Sequence, residues 1–131
     1  MLKKEDLRNM ADARLDDADA LNAAARHDGA VYLCGYAVEV ALKAKICDTL
    51  GWPEFPETSA EFKNLQSFKT HDLDILLKLS GVELQVKTNY LGEWSIVGQW
   101  DPEARYKPIG SATRKDAQAM ISAARTLVRA L

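Results

Sequence analysis

The order of apolar and polar residues predicts a chain built from α-helices. Its most continuously apolar stretch covers residues 28–47 and is rich in small side chains, which let neighbouring helices pack closely. We therefore predict a central helix here, with Asp28 as its N-terminal cap. The polar side chains of this helix recur at three- and four-residue steps and so share one stripe along it: Tyr32, Tyr36, Glu39 and Lys43.

The polar stripe has two interpretations. It is either an exposed or dimer-facing edge with an ordinary Glu39–Lys43 ion pair, or a recognition surface for a ligand. His71, near the start of a later predicted helix, needs a polar partner where that helix packs on the central one, and Glu39 is the obvious acceptor. We therefore expect Tyr36, Glu39 and Lys43 to share one surface with His71.

The first helix is predicted over residues 4–26, where apolar residues recur at helical spacing. Its opposite face carries four aspartates, which we interpret as a solvated acidic face. They lack a partner histidine and the loop pattern of a calcium site, so no metal is expected there. A short turn at residues 26–29 makes the first and central helices an antiparallel hairpin.

The third helix is predicted over residues 70–79. Thr70 is its expected cap, and Gly81 is expected to stop it. His71 would then lie in the first turn, where the helix dipole disfavours the cationic imidazolium.

Two further helices complete the pattern. One is predicted over residues 82–97 with a mild interruption at Gly92, and the last opens with a Thr113–Asp116 capping box and continues to residue 131. Every long element is helical, so we predict an all-α fold, an up-and-down bundle of four to five helices.

Two long connections separate these helices. Residues 51–69 contain two prolines and several aromatic side chains, which we expect to pin the loop to the bundle, with a ligand pocket as the alternative. Residues 98–110 form a second loop, which is bounded by glycine and also holds two prolines.

Composition narrows the class of protein. Of 131 residues, 47% are hydrophobic and 27% charged, which argues against a disordered or membrane-embedded chain. No apolar run reaches the roughly 18 uncharged residues of a membrane-spanning helix, and the first residues show no apolar signal core. We therefore expect a single cytoplasmic domain over residues 1–131, with no cofactor and no membrane contact.

Charge is unevenly distributed although the net charge is only −2. From Arg105 onward basic residues outnumber acidic ones, which favours an anionic partner. Arg105 offers a planar fork suited to phosphate, Tyr106 a ring or hydroxyl, and Lys107 a further cation. The alternative is structural: Arg105 pairs with Glu103 or caps a helix end, and Tyr106 packs on the core.

Two sequence strings resemble the HEPN family. The first follows the alanine-rich first helix and reads Gly35-Tyr36-Ala37-Val38-Glu39-Val40-Ala41-Leu42-Lys43-Ala44, and the second reads Thr70-His71-Asp72-Leu73. Trp100 and Arg105-Tyr106 extend the resemblance over nearly the whole chain. It implies a four- or five-helix bundle that usually forms a homodimer and is often encoded beside a minimal nucleotidyltransferase. Many members of the family are RNA-cleaving toxins.

The chain departs from the resembled family at its catalytic motif. HEPN ribonucleases carry Arg-x(4–6)-His, in which arginine stabilises charge on the phosphate and histidine transfers protons. Before His27 the relevant positions hold Ala20, Leu21 and Asn22, and before His71 they hold Asn64, Leu65 and Gln66. We therefore assign no catalytic residues.

Three functional hypotheses remain. The first is a non-catalytic binding module of a toxin–antitoxin or defence-type system that contacts nucleotide, RNA or a partner nucleotidyltransferase. The second is an atypical metal-independent ribonuclease that combines His71 with Arg105, and the third is a purely structural interaction module. The candidate ligand-binding residues of the first hypothesis are Tyr36, Glu39, Lys43, His71, Arg105, Tyr106 and Lys107.

Overall fold

The regular structure of the chain is almost entirely helical. A computed structural model describes the backbone of residues 1–131 and the side chains of all of them except Ala104 and Arg105. Within it, six α-helices accompany one pair of two-residue strands, which confirms the all-α class. In chain order the elements are β1 (Leu2–Lys3), α1 (Lys4–Ala23), α2 (His27–Leu50), β2 (Glu54–Phe55), α3 (Leu73–Leu79), α4 (Glu83–Asn89), α5 (Leu91–Val97) and α6 (Arg114–Ala130).

Helix α2 lies at the centre of the bundle, as predicted. It packs against α1, α3 and α6, and its middle is buried almost without interruption from Ala37 to Leu42. Small side chains such as Ala30, Ala41 and Ala44 are fully covered, so the neighbouring helices approach closely. No helix in the described part of the chain combines the length and apolar character needed to cross a bilayer.

The cap predicted for α2 was wrong. The helix begins at His27, and the cap position falls two residues before Asp28, at Arg26, which makes no side-chain hydrogen bond there. The reversal from α1 is completed sooner than expected because Ala25 adopts a left-handed backbone with φ of 60°, so α1 ends at Ala23. Asp28 therefore lies inside the first turn of α2, where its carboxylate is free to bind a distant segment.

The cap predicted for α3 was also wrong. Asp72, not Thr70, is the N-cap, and its carboxylate accepts the N–H groups of Asp74 and Ile75 at 2.9 and 3.1 Å. The Thr70 hydroxyl instead accepts the N–H of Asp72 at 3.0 Å. His71 consequently lies before the helix and outside its first turn, so the dipole argument for a neutral ring does not apply to it. Gly81, with φ of 81°, ends this segment as predicted.

The helix predicted over residues 82–97 is divided into α4 and α5. The break falls at Tyr90, with φ of −133° and ψ of 36°, and not at Gly92, which lies inside α5. This division explains why the bundle has one helix more than predicted. The capping box of α6 is confirmed, because the Thr113 side chain accepts the Asp116 N–H and the Asp116 carboxylate accepts the Thr113 N–H.

The loop after α2 is held against the bundle in two ways. Strand β2 pairs antiparallel with β1, Leu2 opposite Phe55, a pairing that the sequence pattern did not predict because each strand has only two residues. Aromatic side chains also attach it: Phe55 and Phe62 are buried in the core, and Trp52 and Phe68 pack against that core. The interpretation that these rings pin the loop is confirmed.

Candidate functional site

Glu39 is a buried carboxylate at the centre of a polar group. Its side chain is only 3% exposed, and the Lys43 ammonium donates to its Oε2 at 2.9 Å from the next turn of α2. His71 places Nδ1 3.0 Å from the same oxygen. The expectation that Glu39 accepts from His71 is thus confirmed. Among the described residues no hydrogen bond links Tyr36 to this group, and its ring packs against the core.

The two partners of Glu39 differ in exposure. The Lys43 side chain is 12% exposed, and its ammonium also lies 5.5 Å from the centre of the Phe55 ring. The His71 side chain is 69% exposed. Because a carboxylate can only accept, Nδ1 of His71 carries the hydrogen of this bond, and Nε2 has no hydrogen-bond partner among the described residues.

Trp100 attaches the second loop to α2. A β-carbon at Gly35 would lie 2.1 to 2.2 Å from three atoms of the indole, so only glycine leaves room for the ring. The Trp100 ring also lies 5.9 Å from that of Tyr32, tilted by 47°. Its Nε1–H is buried and has no acceptor among the described residues. The sequence did not predict this contact, because nothing in the local pattern links Trp100 to Gly35.

Asp28 attaches the far end of the same loop. Its carboxylate accepts the N–H of Gly110 at 2.6 Å and that of Ala112 at 2.8 Å. These two bonds, first that from Gly110, hold the pKa of Asp28 below its ordinary value of 3.8. The segment between Trp100 and Ala112 is therefore fastened to α2 at both ends.

The Asp28 attachment should depend on pH and on the carboxylate. Because the folded-state pKa is lowered, the contribution of Asp28 to stability is present above pH 3.8 and is lost as the pH falls through the folded-state value.

At neutral pH, Asp28→Ala should speed amide hydrogen exchange at Gly110 and Ala112, measured by NMR. The Thr113 amide, which Asp116 holds, should keep its protection and is the internal control. Unchanged exchange at Gly110 and Ala112 would contradict this attachment.

The three predicted anion-binding residues lie in this fastened loop. Tyr106 is 71% exposed and Lys107 is exposed, whereas the side chain of Arg105 lies outside the described residues. The expected alternative in which Tyr106 packs on the core is therefore wrong. Lys107 has no ion-pair partner among the described residues.

Trp100 and Gln99 line two neighbouring cavities. The larger, of about 650 Å³, lies between α2, α5, α6 and the loop, and Lys107 is on its wall. The smaller, of about 540 Å³, contains His71 together with three carboxylates, those of Asp72, Asp74 and Asp101. The sequence-predicted residues are thus divided: His71 belongs to an acidic cavity and Lys107 to a more apolar one.

Comparison with known proteins identifies the family. The sequence model of the HEPN domain matches residues 4–131, nearly the whole chain. The chain belongs to the HEPN domain family. No curated protein and no solved structure gives a significant match.

The histidines of this HEPN domain are both engaged within the chain. Nδ1 of His27 lies 2.7 Å from the Asn22 side-chain oxygen, and Nδ1 of His71 contacts Glu39. Within the described side chains of this HEPN domain, no three His, Cys, Asp or Glu residues lie close enough together to hold a metal ion.

Proposed function

We propose that this HEPN domain is a non-catalytic binding module that holds a phosphate group of a nucleotide or RNA at Arg105, Tyr106 and Lys107. The observation that carries this proposal is the double attachment of their loop to α2, by Trp100 at one end and Asp28 at the other. A fastened loop loses less conformational entropy on binding than a free one. Its exposed cation, Lys107, has no ion-pair partner among the described residues and is therefore open to an anionic ligand.

The phosphate chemistry follows from the residue types. Lys107 supplies a point charge, and the guanidinium of Arg105 supplies the bidentate donors that phosphate oxygens accept. Tyr106, exposed beside them, offers a ring face or a hydroxyl to the same ligand. We infer only a supporting part for Tyr36, Glu39, Lys43 and His71, in which Glu39 fixes the ring of His71 through Nδ1 beside the neighbouring, acidic cavity.

The surroundings of the two histidines support the non-catalytic proposal. Neither His27 nor His71 has an arginine at the family's spacing, and the cavity that contains His71 carries three carboxylates, which repel a phosphodiester.

One observation favours a second candidate function, an atypical metal-independent ribonuclease. Glu39 holds Nδ1 of His71, whose side chain is 69% exposed, and a ring held in this way resembles a positioned general base. Metal-independent cleavage of RNA by the purified protein, abolished by His71→Ala, would establish that function in place of simple binding.

Partners of the domain are part of the same proposal. We infer a homodimer that can associate with a minimal nucleotidyltransferase in a toxin–antitoxin or defence-type system, because HEPN domains commonly do so. A purely structural interaction module is the remaining alternative.

Light scattering after gel filtration should give the mass of two chains at tens of micromolar protein, and a monomer would contradict the dimer.

Binding of phosphate through Arg105 is tested by substitution. Arg105→Ala should weaken binding of a short labelled single-stranded RNA by about 1.5 to 3 kcal/mol, the cost of losing a charged hydrogen bond. Arg129→Ala, an exposed arginine near the end of α6, removes the same charge outside the loop and should change the affinity little. Fluorescence anisotropy measures both. Equal losses for the two variants would mean that only net charge matters, and no loss at Arg105 would dismiss the site.

A further inference from the structure

The two cavities beside Trp100 are chemically different halves of one groove. Trp100 and Gln99 lie on the walls of both, so the halves adjoin along these two residues. We propose that this groove is a docking site for a segment of a partner protein that carries a large apolar side chain and, a few residues away, an arginine or lysine. The apolar side chain enters the larger cavity, and the cation enters the smaller one. This interaction goes beyond the phosphate site proposed above and does not depend on it.

The larger cavity is an apolar surface that remains accessible to solvent. Its walls come from three helices, through Val31 of α2, Ile96 of α5 and Met120 of α6. Ile96 is 42% exposed, and Ile109, on the loop side of the wall, is 100% exposed. Large apolar side chains that are exposed around one concavity are typical of an interaction surface, because a partner that covers them removes apolar area from water.

The smaller cavity supplies charge. Asp72, Asp74 and Asp101 lie on its walls, and its described lining residues include no lysine or arginine. Asp72 and Asp101 each accept backbone N–H groups through Oδ1, and Oδ2 of each has no hydrogen-bond partner among the described residues. Three carboxylates around one cavity attract a cation, and the two Oδ2 atoms provide acceptors for its N–H groups.

The lysines that approach this cavity within the chain are weak competitors for such a cation. Lys78 and Lys87 lie near Asp74, with N–O distances of 3.6 and 3.8 Å. Asp74 and both lysines have side chains that are 40% to 59% exposed, and ion pairs as exposed as these contribute little. The carboxylates are therefore left with most of their attraction for a cation from outside the chain.

An apolar cavity beside an acidic one selects the class of occupant. Two aspartates line the larger cavity and three line the smaller, whereas Lys107 is the single lysine among the described lining residues of both. An RNA backbone inside the groove would be repelled by these carboxylates, and a simple polyamine has no large apolar group for the larger cavity. A polypeptide carries both groups on one face of a helix or strand, which is a common mode of peptide recognition.

The chemistry of the occupant is tested with a random-peptide display library selected on the immobilised full chain. We expect the enriched sequences to combine a large apolar residue with an arginine or lysine about two to four positions away, the spacings that place two side chains on one face of a strand or helix. Enrichment of acidic sequences, or no enrichment, would contradict the inference.

The apolar half of the groove is tested by filling it. Ala119 lies on the wall of the larger cavity and is exposed on α6, so Ala119→Trp places a ring in the cavity from the solvent side. Gln118→Trp adds the same ring to the same helix outside the cavity wall and is the matched control.

The acidic half is tested by removing charge. Asp72→Asn combined with Asp101→Asn removes two charges from the smaller cavity and keeps side-chain oxygens that can accept the backbone N–H groups. Asp6→Asn combined with Asp12→Asn removes two charges from exposed positions on α1 and is the matched control.

Anisotropy of the labelled selected peptide measures binding after circular dichroism has verified each fold. Ala119→Trp and the Asp72/Asp101 double variant should each weaken binding about ten-fold or more, the effect of losing one buried apolar contact or one charged hydrogen bond, and the controls should change it little. A peptide whose basic residue is replaced by glutamine should lose as much against the unaltered protein. It should lose little more against the double variant, because both changes remove the same contact.

Two results would overturn the inference. If the selected peptide binds Ala119→Trp and the Asp72/Asp101 double variant as tightly as the unaltered protein, it docks elsewhere on the chain. If Ala119→Trp alone converts a dimer into a monomer in light scattering, a second copy of the chain covers the groove in place of a partner segment. Neither result bears on the phosphate site, which RNA binding by Arg105→Ala tests separately.

Discussion

Replacing Glu39 by alanine is expected to lower the free energy of unfolding by about 3 kcal/mol, because it leaves a nearly buried ammonium without its partner. Lys43 is 12% exposed, and its Nζ donates to Glu39 at 2.9 Å. The substitution also removes the acceptor of His71, so the segment before α3 loses its hydrogen bond to α2. Urea unfolding followed by circular dichroism measures the loss.

A second ion pair in the chain provides the matched control. Glu83 and Lys87 have the same four-residue spacing and an N–O distance of 3.4 Å, but both side chains are substantially exposed. Glu83→Ala should therefore cost no more than about 0.5 kcal/mol. Replacing Glu39 and Lys43 together by leucine and methionine should recover most of the stability, since it removes both charges from the interior. Equal losses at Glu39 and Glu83 would contradict the role of burial.

Gly35→Ala is the second large effect that we expect. Alanine within a helix normally stabilises it by up to about 1 kcal/mol relative to glycine. Here the new β-carbon would lie 2.1 Å from the Trp100 indole, so the ring must leave its position. We expect a net loss of about 1 to 3 kcal/mol, the usual cost of overpacking, together with a red shift of tryptophan emission as Trp100 becomes exposed.

Gly92→Ala is the control that measures the effect of helix propensity on stability without a steric conflict with Trp100. Gly92 lies inside α5, and a β-carbon there would meet no atom within 4 Å. The same substitution should therefore raise stability by about 0.5 to 1 kcal/mol without changing the emission spectrum. Stabilisation by both substitutions would show that Trp100 does not require the space at Gly35.

The two predictions concern neighbouring turns of one helix. Gly35 and Glu39 are four residues apart on α2, so they lie on the same face. Gly35 receives Trp100 from the loop that carries Lys107, and Glu39 receives His71 from the segment before α3. One face of the central helix thus receives Trp100 and His71, and these two residues line the described cavities.

Regularities that span a few residues could be predicted from the sequence. The burial of α2, the capping box at Thr113 and the Glu39–Lys43 pair all depend on spacings of three or four residues, which a helix converts directly into contacts. The His71–Glu39 bond was also predicted, although it joins residues 32 positions apart, because a polar residue next to a packed helix needs a partner.

Choices between equivalent local signals could not be made from the sequence. Thr70 and Asp72 are both good N-cap residues, and in the structure the Asp72 carboxylate caps α3. The break between α4 and α5 fell at Tyr90, whereas the local helix propensity pointed to Gly92.

The sequence by itself therefore determined the helical class, the central helix and the polar stripe of this HEPN domain, because each follows from residues that recur every three or four positions. Only the tertiary structure decided that Trp100 lies on Gly35 and that Asp28 binds Gly110 and Ala112, 82 and 84 residues away. No local pattern predicts such contacts, because they join residues that are far apart in the chain. They form only when the helices have packed and the loop can reach Gly35 and the Asp28 carboxylate. The loop and its two cavities depend on those contacts.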